Sequence, residues 1–239
     1  SYEKAVGARE ALKQTGQELE LLKAEAPQLV IPPPPKRRKP KWFERYRWFL
    51  SSDAMLVIGG KDANSNTEVV EKRMELDDRH LHADIMGAPH VVVKTAGRDV
   101  SQDTLNEAAE FAAMYSRAWR ECLGSLDVYW EMPAQISKRA PSGTYLPKGS
   151  YIIRGKRNLL KVPVRAAVGV TVVGGNQVPM CGPLSAIKKH SKVFVELHPG
   201  PIKKSALARE IQARFSKERI EVSVTEIERV LPPGKGETG

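Results

Sequence analysis

"KWFERYRWFLSSDAMLVIGG" runs from Lys41 to Gly60, and its reading decides the fold. "RWFLSS" and "AMLVIG" are strand-like runs of aromatic and branched apolar residues. Ser52-Asp53 between them offers turn chemistry, so the stretch predicts a hairpin. A hairpin does not require Lys41, Arg45 and Arg47 to be crowded among Trp42, Phe43, Trp48 and Phe49. The charge distribution of the whole chain bears on that excess.

The 239 residues carry a net charge of +10, and 41% of them are hydrophobic, enough for a substantial core. The charge is segregated. From Pro32 to Trp48, Lys36, Arg37, Arg38, Lys39, Lys41, Arg45 and Arg47 face a single acid, Glu44. Between Glu131 and Glu196 there is no acid at all, against 11 lysines and arginines. The rest of the chain is net acidic. An evenly solvated surface intersperses the two signs; one-sided segregation suits a polyanionic partner, most simply nucleic acid. Two cysteines, Cys122 and Cys181, are too few for a disulfide framework and lack zinc-ligand spacing, so buried free thiols are expected. No apolar run reaches membrane-spanning length, and the first twenty residues are charged rather than signal-like. A cytoplasmic protein without membrane contact is the expectation. The chain opens at Ser1 within a predicted helix, as a piece of something larger would.

Further organisation follows from local pattern. Residues 2–26 read as a helix with a loose apolar stripe, either the end of a coiled coil that contacts another chain or a simple surface helix. Residues 27–40 form a proline-rich basic linker, extended by four successive prolines. Residues 41–231 form the globular domain. Asn66 to Met74 is a short helix, and "HLHAD" and "HVVVK" are strands joined by "IMGAP". Thr104 to Cys122 is the clearest helix, with Leu105, Ala108, Ala112, Tyr115 and Trp119 on one face and Ser101 or Asp103 as cap. "LDVYWEM", "YIIRGKRN", "VRAAVGVTVV" and "KVFVELH" continue the sheet, and Ser205 to Phe215 is amphipathic. Residues 223–230 are a last short element, and 232–239 a polar tail with no core to join. The sum is an α+β fold: one domain with a mixed, mostly antiparallel sheet and packed helices, preceded by the N-terminal helix on its linker. A parallel α/β sheet is the alternative, because strands and helices alternate early on.

Several stretches carry candidate chemistry. "DDRHLHADIMGAPHVVVK", residues 77–94, concentrates His80, His82, Asp84 and His90, and on a strand His80 and His82 share a face. A metal-dependent RNA-processing enzyme centred on His80, His82 and Asp84 is one reading. Structural or RNA-contacting histidines are the other, favoured because no metalloprotease or nucleophile motif is present. Gly59-Gly60-Lys61 follows a strand but lacks the phosphate-loop pattern, so a tight turn exposing Lys61 is expected. "GTYLPKGSYIIRGKRN" interleaves Tyr145 and Tyr151 with Lys148, Arg154, Lys156 and Arg157, as stacking on bases and pairing with phosphates require. Tyr151 is equally suited to a core position. Lys138 and Arg139 begin this acid-free loop.

Through "KWFERYRWFLSSDAMLVIGGKDANSNTEVVEKRM", "DDRHLHADIMGAPHVVVK", "AAEFAAMYSRAW" and "ISKRAPSGTYLPKGSYIIRGKRN", the chain resembles the NFACT-R domain, the RNA-binding domain of the RqcH and NEMF family. The resemblance covers about half the chain. The N-terminal helix is similar to the end of that family's coiled coil, and residues 159–239 resemble an archaeal-type extension. The resemblance implies ribosome-associated quality control: binding of tRNA and of rRNA in a large ribosomal subunit that holds a stalled chain, and support of template-free C-terminal tailing. The family's Asp-Arg tailing motif lies in another domain and has no counterpart here. RNA binding without catalysis or cofactor is therefore expected, through Lys36, Arg37, Arg38, Lys39, Lys41, Arg45, Arg47, Lys61, His82, Lys138, Arg139, Arg154, Lys156 and Arg157. In the opening stretch, Lys41, Arg45 and Arg47 would extend the basic linker as a phosphate-facing entry.

Overall fold

The computed structural model describes residue 7 and residues 12–17, 39–138, 147 and 149–239. The chain forms two units, Ser1–Arg37 and Arg38–Gly239. In the first, residues 12–17 are helical (α1), in keeping with the helix expected there. The remainder of that helix and most of the proline linker lie outside the described residues.

In the second unit the predicted hairpin forms. Strands β1 (Arg47–Leu50) and β2 (Leu56–Gly59) pair antiparallel, from Arg47 opposite Gly59 to Leu50 opposite Leu56. The connecting Ser52 and Asp53 do more than turn the chain. The Ser52 amide donates to Glu107 Oε2 at 2.8 Å, and Thr104 Oγ1 donates to Asp53 Oδ2 at 2.9 Å. The turn is thereby tied to the start of helix α3 (Gln102–Met114), whose N-cap is Ser101, accepting from the Thr104 amide.

Helix α2 (Ala63–Glu68) starts three residues before the predicted Asn66, because Asp62 caps it. It continues as a π-helical turn over Val69–Arg73. Strands β3 (Arg79–Ala83) and β4 (His90–Lys94) form the second hairpin, with His82 opposite His90. Strand β5 (Ser125–Glu131) pairs with β3, and β8 (Asn158–Pro163) with β5. The resulting six-stranded sheet has the order β1-β2-β4-β3-β5-β8. Short strands β6 (Ile136–Ser137) and β7 (Ile152–Ile153) form a separate ribbon. Every strand pairing among the described residues is antiparallel, so the parallel alternative does not hold.

Helix α3 packs against β3, β4, β5 and β8 and fully buries Ala108, Phe111 and Ala112. It is shorter than predicted. Ser116 Oγ accepts from the Ala118 amide at 3.1 Å and starts a new turn, α4 (Arg117–Arg120). The predicted face survives this break, since Tyr115 and Trp119 are both buried.

The strand predicted over 164–173 leaves the first sheet. The Val164 amide still donates to Gly124 O at 3.1 Å, one step beyond the Ser125–Pro163 pair, and the chain leaves β5 after it. Strand β9 (Ala166–Val173) instead nucleates a second sheet, β10-β9-β11-β12, with β10 (Asn176–Gly182), β11 (Phe194–Ile202) and β12 (Gly236–Thr238). Strand β10 escapes the sequence pattern because Pro179 interrupts it, and it is an edge strand, where proline is tolerated. Helix α5 (Leu184–His190), also unforeseen, follows it. Helices α6 (Lys204–Lys217) and α7 (Val224–Val230) match expectation, with Leu207, Ile211 and Phe215 buried.

The C-terminal segment corrects the polar-tail reading. Strand β12 pairs with β11, Gly236 is buried, and Trp119 Nε1 donates to Lys235 O at 2.8 Å. The indole N–H of a buried tryptophan needs an acceptor, and this segment supplies it. Cys181 is buried as expected, whereas Cys122 is exposed just past the Glu121 C-cap of α4, where φ is positive.

Candidate nucleic-acid interface

Alternation along β3 places Arg79, Leu81 and Ala83 on one face of the first sheet and His80 and His82 on the other. Pairing then fixes their neighbours. His80 lies opposite Glu131 of β5, and His82 lies between Tyr129 of β5 and His90 of β4. His80 Nδ1 and Glu131 Oε1 are 2.6 Å apart, His80 Nε2 and His90 Nδ1 are 2.8 Å apart, and His90 Nε2 lies 2.9 Å from Gly149 O.

Hydrogen-bond accounting assigns the protons along this chain. A carbonyl only accepts, so His90 Nε2 carries a hydrogen. Burial, reinforced by the neighbouring His80 and His82 rings, lowers the His90 pKa to about 2, so its ring is neutral and Nδ1 accepts from His80 Nε2. His80 Nδ1 and Glu131 Oε1 are left sharing one proton. All three side chains are buried, and Glu131 Oε2 has no partner among the described residues. The chain runs from the sheet to the backbone that enters β7, so it anchors that segment to the core.

Two glycines permit the approach. Gly149 has φ +80°, and a Cβ there would meet Ala63 O at 3.0 Å. At Gly60 a Cβ would fall 1.9 Å from Asn66 Oδ1, the atom that accepts from the His90 amide at 3.1 Å. The Gly59-Gly60 pair is thus a close-packing requirement beside the histidines and not a phosphate loop.

Above the histidine face lies a cleft of about 450 Å³. Its wall holds the rings of His82 and His90 (centroids 4.6 Å apart), Tyr129 and the edge of Tyr151. Tyr151 is half-buried and donates to Glu71 Oε1 at 2.6 Å, intermediate between its core and surface readings. The His82 pKa is lowered to about 4, chiefly by desolvation and then by His80. His82 therefore offers a neutral ring rather than a charge. Arg47 and Lys61 also line the cleft. The Arg47 guanidinium lies 4.0 Å from the Tyr115 ring centroid, and its Nε has no hydrogen-bond partner among the described residues. Burial lowers the Arg47 pKa, and partial desolvation followed by Arg47 and Arg229 lowers that of Lys61.

The other predicted cations separate into distinct groups. Arg154, Lys156 and Arg157 are exposed between β7 and β8, where Gln135 Nε2 donates to the carbonyls of Arg154 and Lys156. The Arg157 guanidinium covers the Tyr129 ring at 4.6 Å, which brings this group to the cleft wall. Lys138 is exposed and ion-paired with Glu71. Lys39 and Lys41 are exposed, while Arg45 pairs with Glu68 at 3.3 Å. Lys41, Arg45 and Arg47 thus do not form one phosphate-facing row, because Arg47 turns inward onto Tyr115. Lys36, Arg37, Arg38 and Arg139 lie outside the described residues, as do Tyr145 and Lys148.

Among the described residues, the metal-enzyme reading finds no ligand set around His80, His82 and Asp84. Both ring nitrogens of His80 are taken by Glu131 and His90, and Asp84 is exposed at the end of its strand. Among the described residues, metal-type ligand atoms converge at Glu75, Asp77 and Asp78 instead. There, Asp78 accepts from the Glu75 and Thr95 amides and from Lys94, and Asp77 from Thr95 Oγ1 and the Gly97 amide, which is the bonding of a turn.

Sequence reasoning missed Glu131, Tyr129 and Glu71, and it named His90 without assigning it to the site. The position of His90 opposite His82 follows from hairpin register. Glu131 carries no local signal, because its role depends on β5 pairing with β3.

Comparison with known proteins places these residues. Residues 45–155 match the family model "NFACT protein RNA binding domain". The archaeal Rqc2 homolog aRqcH of Methanocaldococcus jannaschii is 39% identical over 199 residues, covering 83% of this chain and 29% of its own length. The ribosome quality control complex subunit NEMF homolog of Drosophila melanogaster is 44% identical over 126 residues, covering 52% of this chain and 13% of its own. This chain therefore spans less than a third of either relative. Among solved structures, the C-terminal part of the fibronectin/fibrinogen-binding protein from Streptococcus suis aligns with a TM-score of 0.43 and 23% identity, over 61% of this chain and 54% of that one. The matched residues 45–155 hold both hairpins, the four-member hydrogen-bond chain and most of the cleft. The chain belongs to the NFACT RNA-binding family, of the kind found in the RqcH and NEMF quality-control proteins.

Proposed function

We propose that this chain is the RNA-binding module of a ribosome quality-control factor acting in the cytoplasm. Its partners are tRNA and the rRNA of a large ribosomal subunit that carries a stalled nascent chain, and it supports template-free C-terminal tailing without catalytic residues of its own. In this reading residues 1–26 end a coiled coil, residues 27–40 are a basic linker and the remainder is the binding domain. The observation that carries the proposal is the coincidence of the family match over 45–155 with a cleft that combines neutral rings and cations. Rings stack on unpaired bases and cations meet phosphates, which is how looped and single-stranded RNA is held. Arg154, Lys156 and Arg157 extend that surface, with Lys39 and Lys41 as a second basic group.

Co-sedimentation with purified large subunits tests the proposal. The chain is expected to pellet with subunits that retain peptidyl-tRNA and to be released by competing tRNA. Equal pelleting with empty subunits, undisturbed by tRNA, would remove the tRNA part. No pelleting under either condition would remove the ribosomal reading.

A further inference from the structure

The cleft on the histidine face contains an imbalance that general RNA affinity does not require. At one end, Arg47 and Lys61 face the cleft without an ion pair among the described residues, and Asp62, next to Lys61, is the carboxylate on that lining. Other cations add to the field: Arg120 acts on Arg47, and Arg229 on Lys61. A half-buried cation with an unpartnered Nε and like-charged neighbours is costly, and an entering anion relieves that cost. At the other end, the tilted rings of His82 and the buried His90 lie beside Tyr129, whose ring Arg157 covers, and the half-buried His82 offers an aromatic surface without charge. The volume, about 450 Å³, lies in the range of small-ligand sites. Two cations against one carboxylate leave that end net positive, and a site with an aromatic wall at one end and a net positive end at the other matches one chemical unit, a base joined to a phosphate.

We infer that this cleft is a site for a single unpaired nucleotide, with the base on the His82–His90–Tyr129 wall and its phosphate at Arg47 and Lys61. The inference rests on the RNA-binding reading and specifies the ligand for one site within it. It distinguishes this cleft from the exposed group Arg154, Lys156 and Arg157, which meets the backbone of any strand. A duplex cannot enter without extruding a base, so unpaired segments are preferred.

The test uses the full chain, titrated calorimetrically with adenosine 5′-monophosphate, adenosine and inorganic phosphate, while binding of intact tRNA is measured in parallel. The monophosphate is expected to bind at least tenfold more tightly than either fragment. Lys61→Gln should weaken the monophosphate about fivefold or more and leave adenosine unchanged, whereas His82→Ala should weaken both nucleotide and nucleoside. As a readout that needs no variant, single-stranded RNA containing 4-thiouridine should crosslink to the peptides holding His82, Tyr129 or Tyr151. Monophosphate binding no tighter than phosphate alone, indifference to Lys61→Gln, or crosslinks confined to other peptides would each overturn the inference. If tRNA still binds in those cases, only the nucleotide site fails. If tRNA does not bind either, the RNA-binding reading fails with it.

Discussion

The two sheets of the Arg38–Gly239 unit differ in what they bury beside their apolar side chains. The first places His80, His90 and Glu131, all buried, in one hydrogen-bonded chain beneath a cleft. In the second, the buried side chains of β9, β10 and β11 are apolar: Ala166, Ala167, Val168, Val173, Val178, Met180, Cys181, Val195 and Leu197, beside Pro179. A dry sheet needs no proton arrangement and tolerates small changes in volume. A buried ionisable chain bears a desolvation cost that apolar side chains would avoid, so it is weak evidence for stability. Its confinement to one sheet supports the proposal that this sheet carries the site, because local rules are broken where function demands it.

The comparison breaks most visibly in salt. If about 6–10 of the segregated cations meet phosphates, affinity for tRNA should fall by about 10³–10⁵ between 50 and 200 mM salt. Filter binding across that range measures the slope. A flat response would mean that the basic surface serves a protein partner.

A second break concerns the buried chain itself. Glu131→Ala leaves His80 without its partner and should cost about 3–5 kcal/mol in urea unfolding, as loss of one member of a buried pair does. Ile187→Val, under the dry second sheet, should cost only about 0.5–1.5 kcal/mol. Equal costs would show that the two sheets are energetically alike.

Acid sharpens the same contrast. His82 and His90 are held well below the ordinary value of 6.5, to about 4 and about 2. The unfolded chain therefore takes up protons below pH 6.5 that the folded one refuses. The stability from these rings is complete above pH 6.5 and is lost as pH falls from there toward the folded values. The loss between pH 6.5 and 5 should be about 3 kcal/mol for the two rings together. Hydrogen exchange should then open β3 and β4 before β9 and β11, and loss of protection in the reverse order would contradict the assignment.

The smallest effect belongs to the exposed edge. Changing Arg154, Lys156 and Arg157 together to alanine should weaken RNA binding by about 2 kcal/mol, the scale of a charge-assisted contact. The salt slope should become shallower by up to about one unit for each cation that had met a phosphate. Stability should move by less than about 0.5 kcal/mol, because surface charges contribute little. Unfolding of the triple variant would show that these side chains support the bend that Gln135 pins.

The same division shows what the sequence could disclose. The two hairpins of the first sheet were legible because each carries its own turn and its own apolar alternation, in "FLSSDAML" and "HADIMGAPH". The positions of Lys61 just after β2 and of His82 on β3 followed from those hairpins. Glu131 was not legible, because its meaning arises only when β5 pairs with β3 across some fifty residues of chain. Arg47 reads as one of a row of cations, and only the position of Tyr115 turns it inward. In the second sheet, Pro179 disguised β10, and β12 looked like a tail because three residues carry no periodicity. Local signals define strands, whereas sheet order and docking of the C-terminus are long-range outcomes.

Photo-crosslinking of the full chain to tRNA-bearing large subunits, followed by mapping of the modified peptides, tests the central claim most directly. The account predicts crosslinks in residues 45–61, 80–90 and 149–157, around the histidine face of the first sheet. Crosslinks confined to residues 166–239 would place the RNA on the second sheet and contradict it.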